Sequence, residues 1–172
     1  MDFEAGPAVV AGLVGGGVLA AVLYTAMAMM PRHMKMNLFM LLGSMVLPVG
    51  VGAFVMGAMV HAVMSAVFGL VHAAVFSIAG IESSHAAWGL LFGLAHWAIA
   101  GMALGMLPLV HPRVRYSGRR LVPAAGTNPH PQELLDPPGA FALGYPPLTV
   151  AGFLMLHLMF GAVFGALYGA WA

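Results

Sequence analysis

The sequence predicts an all-α protein, a four-transmembrane-helix bundle with one short interfacial helix and a proline-rich inner loop. The first observation is composition. Of 172 residues, 62% are hydrophobic and 6% are charged, whereas soluble domains average about 25% charged residues. The second is four apolar segments long enough to cross a bilayer, which takes about 20 residues. The net charge of +1 and this composition exclude a soluble enzyme and a nucleic-acid partner.

Prolines set the limits of the first two spans. The first span covers 8–30 and stops at Pro31. The next apolar run is too long for one helix, and Pro48 divides it because proline breaks a continuous helix. We therefore expect a short interfacial helix at 36–47 and a second span at 49–79.

A tight turn and a polar loop separate the remaining spans. The third span covers 85–108 and stops at Pro108. A loop rich in proline and polar residues follows at 109–147, and the fourth span covers 148–171. All of these elements belong to one integral-membrane domain, residues 1–172.

The basic residues predict the orientation of the chain. All of them fall in the first and third connections: Arg32, Lys35, Arg113, Arg115, Arg119 and Arg120. Because positive residues favour the cytoplasmic side, we expect both termini outside. The expected location is the bacterial inner membrane, as a multi-pass protein in contact with the lipid bilayer.

Glycines four residues apart recur in three of the spans. Such spacing lets two helix backbones approach closely in lipid. The pattern predicts either a compact bundle or a surface that docks against other membrane-protein subunits. The glycines are Gly12, Gly16, Gly89, Gly93, Gly101, Gly105, Gly161, Gly165 and Gly169.

Histidines form matched pairs on the second and third spans. His61 and His72 are eleven residues apart, and so are His85 and His96. Eleven residues make about three helical turns, so both members of a pair share one face. If these faces meet in an antiparallel hairpin, His61 pairs with His96 and His72 pairs with His85. His157 on the fourth span would join the deeper pair.

Besides a proton or ion path, three interpretations of these histidines remain open. Paired imidazoles suit haem b, and two stacked cofactors would carry electrons across the membrane. Alternatively, His61, His96 and His157 form a metal site for copper or zinc, with Met64 as a soft ligand for copper. The third interpretation has no cofactor, and the histidines form hydrogen bonds that stabilise helix packing.

The expected function is a small subunit of a larger membrane complex, with a cofactor for electron transfer. The alternative is a cofactor-free assembly or stabilising subunit. A further alternative is a small copper-handling or transport protein, although the spans lack Asp, Glu, Lys and Arg. We do not expect an enzyme on its own, because the chain has no cysteine and no acid–base pair apart from the histidines.

Several short motifs resemble a small bacterial integral-membrane family of unknown function. They are Pro31, Met34, Asn37, Leu41-Leu42-Gly43, His61, His85-x-x-Trp88-Gly89, His96-Trp97, His111-Pro112 and His157. The resemblance would cover most of the chain. It implies a four-span fold and transfers no activity, cofactor or catalytic residue.

Overall fold

A computed structural model describes residues 2–114 and 134–172 of the chain. The basic residues Arg115, Arg119 and Arg120 and the middle of the loop predicted at 109–147 lie outside the described residues. The helices are α1 (Ala5–Met29), α2 (Leu38–Gly43), α3 (Val51–Ile78), α4 (His85–Val110) and α5 (Pro147–Trp171), with a short 3-10 helix at Ala140–Ala142.

The all-α architecture with four long apolar helices and one short helix is confirmed. Helices α1, α3, α4 and α5 are each long and apolar enough to cross a membrane. The protein is therefore a multi-pass membrane protein by the length and composition of its helices. Its outward-facing residues are predominantly apolar, as lipid contact requires.

Helix ends differ from the predicted limits by a few residues. Helix α1 begins at Ala5 and carries Pro7 in its first turn, where a proline removes no helical hydrogen bond. Helix α4 continues through Pro108 to Val110. The short helix covers fewer residues than the predicted 36–47. It begins after Asn37, whose side chain caps it by accepting a hydrogen bond from the Met40 N–H at 3.1 Å.

The long helices form an open ring in the order α3, α1, α5, α4. Helix α1 packs against α3 and α5, helix α5 packs against α4, and α2 packs against α3. Although α3 and α4 are consecutive in sequence, their contacts are made by aromatic side chains such as Phe76 with Phe92, whose ring centroids lie 5.4 Å apart. Helices α3 and α4, which are adjacent in sequence, are therefore not closely packed against each other in the bundle.

Glycines supply the close contacts between the helices that do pack. A Cβ on Gly12 would meet the carbonyl oxygen of Ser65 and the backbone of Gly69, and a Cβ on Gly89 would meet the carbonyl oxygen of Gly161. All of the glycines predicted to mediate packing contact other parts of this chain. Their contacts build a compact bundle.

Aromatic residues fill the bundle near the connection at 79–84, which we call the turn end. Here Phe76, Phe164 and Tyr168 are completely buried and contact one another edge to face or stacked. The opposite end, which carries α2, is called the α2 end. Dense aromatic packing at the turn end contrasts with an open interior toward the α2 end.

Candidate functional site

A cavity of about 330 Å³ lies between α3 and α4, on the α2 side of the aromatic cluster. All five helices contribute to its wall. Four histidines line it, His61, His96, His111 and His157, and almost all the other lining side chains are apolar. Its size and character match sites for small molecules, which are typically apolar with a few placed polar groups.

Some residues that line the cavity are also exposed. Met64 on α3 and Ile99 on α4 line the cavity, and they are 39% and 64% exposed. The exposed part of the wall is therefore contributed by the two helices that lie on either side of the cavity.

Two of the cavity histidines each donate a hydrogen bond to a backbone carbonyl. The Nδ1–H of His157 donates to the Phe153 oxygen at 2.7 Å, and the Nε2–H of His61 donates to the Gly16 oxygen at 3.1 Å. Because a carbonyl can only accept, each bond fixes the neutral ring in one tautomer. The second nitrogen of each ring then carries a lone pair.

His96 is the centre of a cluster of three histidines. Its ring centroid lies 5.0 Å from that of His157 and 5.7 Å from that of His72. The His72 Nδ1–H donates to the Phe68 oxygen at 2.7 Å. Among the described residues, His72 Nε2 and His96 Nδ1 are buried without a hydrogen-bond partner.

The structure groups the predicted histidines differently from the two expected pairs. His61 and His96 line the same cavity, but His96 has its ring contacts with His72 and His157. His85 lies at the turn end, where its ring stacks on Phe76 with centroids 5.9 Å apart. The small residues on the histidine face of α3 pack against α1, and those on the histidine face of α4 pack against α5.

Metal ligation by these residues stays a prediction. Met64 lines the cavity with His61, His96 and His157. However, in residues 2–114 and 134–172, no three His, Cys, Asp or Glu side chains converge closely enough to hold a metal ion. The described arrangement therefore offers single imidazole ligands and not a preformed three-histidine site.

His111 closes the α2 end of the cavity, a role that the sequence analysis missed. It is 1% exposed, and its Nε2–H donates to the Leu41 oxygen at 2.9 Å. Its Nδ1 accepts from the Arg113 N–H at 3.1 Å, and the Arg113 guanidinium donates to the Ser44 oxygen at 2.6 Å. These bonds join the end of α4 to the end of α2. The only signal in the sequence is a histidine directly after the apolar run of α4. That signal does not predict the contact of His111 with α2.

Tyrosine residues hold the segments that flank the cavity. The Tyr24 hydroxyl donates to the Asn37 side-chain oxygen at 2.9 Å and accepts from the Phe39 N–H at 2.9 Å. Tyr145, just before α5, donates to the Asp136 backbone oxygen at 3.1 Å. Burial, with a smaller contribution from the negative charge of Asp136, raises the pKa of Tyr145 to about 12.

No protein-family model, no curated protein sequence and no solved structure matches this chain. The family resemblance of the short motifs therefore stays a prediction. Function has to be inferred from the side chains around the cavity.

Proposed function

We propose that this protein is a small integral-membrane subunit that binds a lipophilic cofactor in the cavity between α3 and α4, for use in electron transfer. The observation that carries the proposal is the cavity itself. Consecutive antiparallel helices normally pack together, yet here they enclose about 330 Å³ of apolar space. A close-packed interior rarely keeps such a space, so an occupant is expected.

Polar groups in the wall suit recognition of one ring-bearing molecule. His61, His96 and His157 are the titratable side chains that face this space from three different helices, besides His111, whose nitrogens bind the Leu41 and Arg113 backbone. Hydrogen bonds from His61 and His157 to backbone carbonyls restrict the rotation of both rings. Restrained rings in an apolar wall orient a ligand at little entropic cost.

Haem b is the first cofactor to test. His157 would hold the haem iron through Nε2, because its Nδ1–H is held by the Phe153 oxygen, which is how proteins commonly orient a metal-binding imidazole. This arrangement needs a single histidine and does not depend on facing histidine pairs. Copper is less well supported, since the described residues hold no converging group of three ligands.

The membrane and orientation belong to the same proposal. Arg32, Lys35 and Arg113 lie in the first and third connections, which favours the bacterial inner membrane with both termini outside. A cofactor-free assembly subunit is the alternative. The glycine faces are less suited to that role, because they are already used in packing within the chain.

The test is to purify the protein from its native membrane in a mild detergent, record its absorption spectrum, and extract its lipophilic contents for mass spectrometry. Ala103 lines the cavity, and Ala103→Phe should fill it. Ala95 is exposed on the same helix and does not line it, so Ala95→Phe is the matched control. A cofactor retained by the wild type and Ala95→Phe and lost from Ala103→Phe supports the proposal. An empty wild type, in detergent and in lipid nanodiscs alike, overturns it.

A further inference from the structure

The free nitrogens of His157 and His61 are hydrogen-bond acceptors. His157 uses Nδ1–H for the Phe153 oxygen, so its Nε2 carries a lone pair. His61 uses Nε2–H for the Gly16 oxygen, so its Nδ1 carries one. Both residues line the cavity, and a neutral imidazole has only one N–H to give. Neither ring can therefore donate a hydrogen bond to an occupant.

His96 differs from these two rings, because no hydrogen bond within the described part of the chain fixes its tautomer. Its buried Nδ1 has no hydrogen-bond partner among the described residues, and neither has the buried Nε2 of His72. The Nδ1–H of His72 donates to the Phe68 oxygen. The cavity acceptors whose proton position is fixed are therefore His157 and His61.

The lone pairs of His157 and His61 can accept a hydrogen bond from an occupant, as an alternative to binding a metal ion. We propose that the cavity selects a hydroxyl-bearing aromatic ring, a phenol or hydroquinone carried by the bilayer, and that its hydroxyl donates to His157 or His61. The inference rests on the proposed function, a lipophilic ligand in this cavity, and names a class of ligand other than haem b. The hydroxyl meets the imidazoles, the ring lies among apolar residues such as Phe160 and Leu156, and an alkyl or isoprenoid tail leaves between α3 and α4.

Aromatic side chains around the cavity also favour a ligand with an aromatic ring. Phe68 lies against His96 with ring centroids 3.9 Å apart, and Phe153 lies against His157 with centroids 4.6 Å apart. Phe68 and Phe153 both line the cavity. A planar ring can pack offset or edge-on against such groups. A saturated alcohol would gain the hydrogen bond without these ring contacts.

The test compares two ligands of nearly the same shape. Purified protein in detergent is titrated by calorimetry with para-hexylphenol and with its methyl ether, which lacks the donor. One hydrogen bond in a water-excluded site corresponds to about a tenfold difference in affinity, so the phenol should bind about tenfold more tightly. Decylubiquinol should likewise bind more tightly than decylubiquinone, whose carbonyl oxygens only accept.

Variants locate the acceptor. At least one of the variants His157→Phe and His61→Phe should lose the preference for the phenol while still binding the ether. His33→Phe is the control, because the His33 side chain is exposed and does not line the cavity. Equal binding of phenol and ether by the wild type overturns this inference and leaves the proposed function standing. Failure to bind either ligand or haem counts against both, and a preference that survives both substitutions overturns the assignment of the acceptor.

Discussion

His96 on α4 and His157 on α5 meet edge to face, with ring centroids 5.0 Å apart and an interplanar angle of 88°. The contact joins two helices that pack closely through glycine, and it lies in the wall of the cavity that they share with α3. His157 is fixed by its own helix through the Phe153 oxygen. The relative positions of these two rings define the polar part of the candidate site.

The tautomers of the cavity histidines are directly measurable. We expect the Nδ1–H form for His157 and the Nε2–H form for His61, because each proton is donated to a backbone carbonyl. Nitrogen NMR of histidine-labelled protein in lipid distinguishes the two forms, and His157→Phe and His61→Phe assign the signals. The opposite tautomer at His157 would contradict the hydrogen bond to Phe153.

Gly89→Ala should destabilise the bundle, by about 1–3 kcal/mol, since the added methyl group would clash with the backbone at Gly161. Gly17→Ala is the matched control. No atom lies close enough to contact a Cβ at Gly17, and alanine is the better helix former by about 0.5–1 kcal/mol. Thermal unfolding in detergent measures both changes. Equal stability of the two variants would mean that α4 does not pack on α5 at this glycine.

The sequence was sufficient to predict the spans but not their neighbours. Pro31 and Pro48 interrupt apolar runs. A run of about 20 apolar residues forms a helix in lipid, because a helix satisfies all of its backbone hydrogen bonds internally. Helical periodicity then identifies which residues share a face, such as His85 with Gly89. It does not identify the helix that the face contacts. Gly89 packs on α5 and Gly69 packs on α1, so a facing α3–α4 hairpin does not follow from matched spacing.

The contribution of His111 was hidden for a different reason. Its burial depends on the return of α2 toward the end of α4, a contact between residues about seventy positions apart. Local signals carry no information on such pairing. His61, His96 and His157 could be selected because polar residues within membrane spans are uncommon and functional by default. Their grouping around one cavity required the three-dimensional arrangement.

His111→Leu should loosen the α2 end. The change removes a donor to the Leu41 oxygen, which keeps only its contact with the Ser44 hydroxyl, and removes the acceptor for the Arg113 N–H. Each lost hydrogen bond costs about 0.5–1.5 kcal/mol. We expect a lower unfolding temperature and weaker ligand binding, because α2 forms part of the cavity wall. The exposed His33 is the site of the control, His33→Leu. Unchanged stability in His111→Leu would show that this connection is dispensable.

Tyr145 should titrate well above an ordinary tyrosine. Its pKa is raised to about 12 in the folded protein, whereas an unfolded chain ionises near pH 10. The folded state therefore holds this proton more tightly. The resulting stabilisation is fully present below about pH 10 and is lost as pH rises through about 12. The tyrosinate absorbance of wild type minus Tyr145→Phe should rise near pH 12, and a midpoint near pH 10 would contradict the burial of the hydroxyl.

Cysteine labelling tests the proposed orientation. The chain has no cysteine of its own, so a single introduced thiol reports one site. In intact spheroplasts, Ser83→Cys in the α3–α4 turn should react with a membrane-impermeant maleimide. Lys35→Cys, which is also exposed, should react only after the membrane is opened. The reverse pattern would place both termini inside.

The central claim is that the cavity between α3 and α4 holds a lipophilic ligand, and native mass spectrometry of protein released from lipid nanodiscs tests it most directly. The account predicts a population with one added ring-bearing molecule in the wild type and in Ala95→Phe, and a bare chain in Ala103→Phe. If the wild type carries no such molecule and takes up neither haem nor para-hexylphenol when these are supplied, the claim is contradicted.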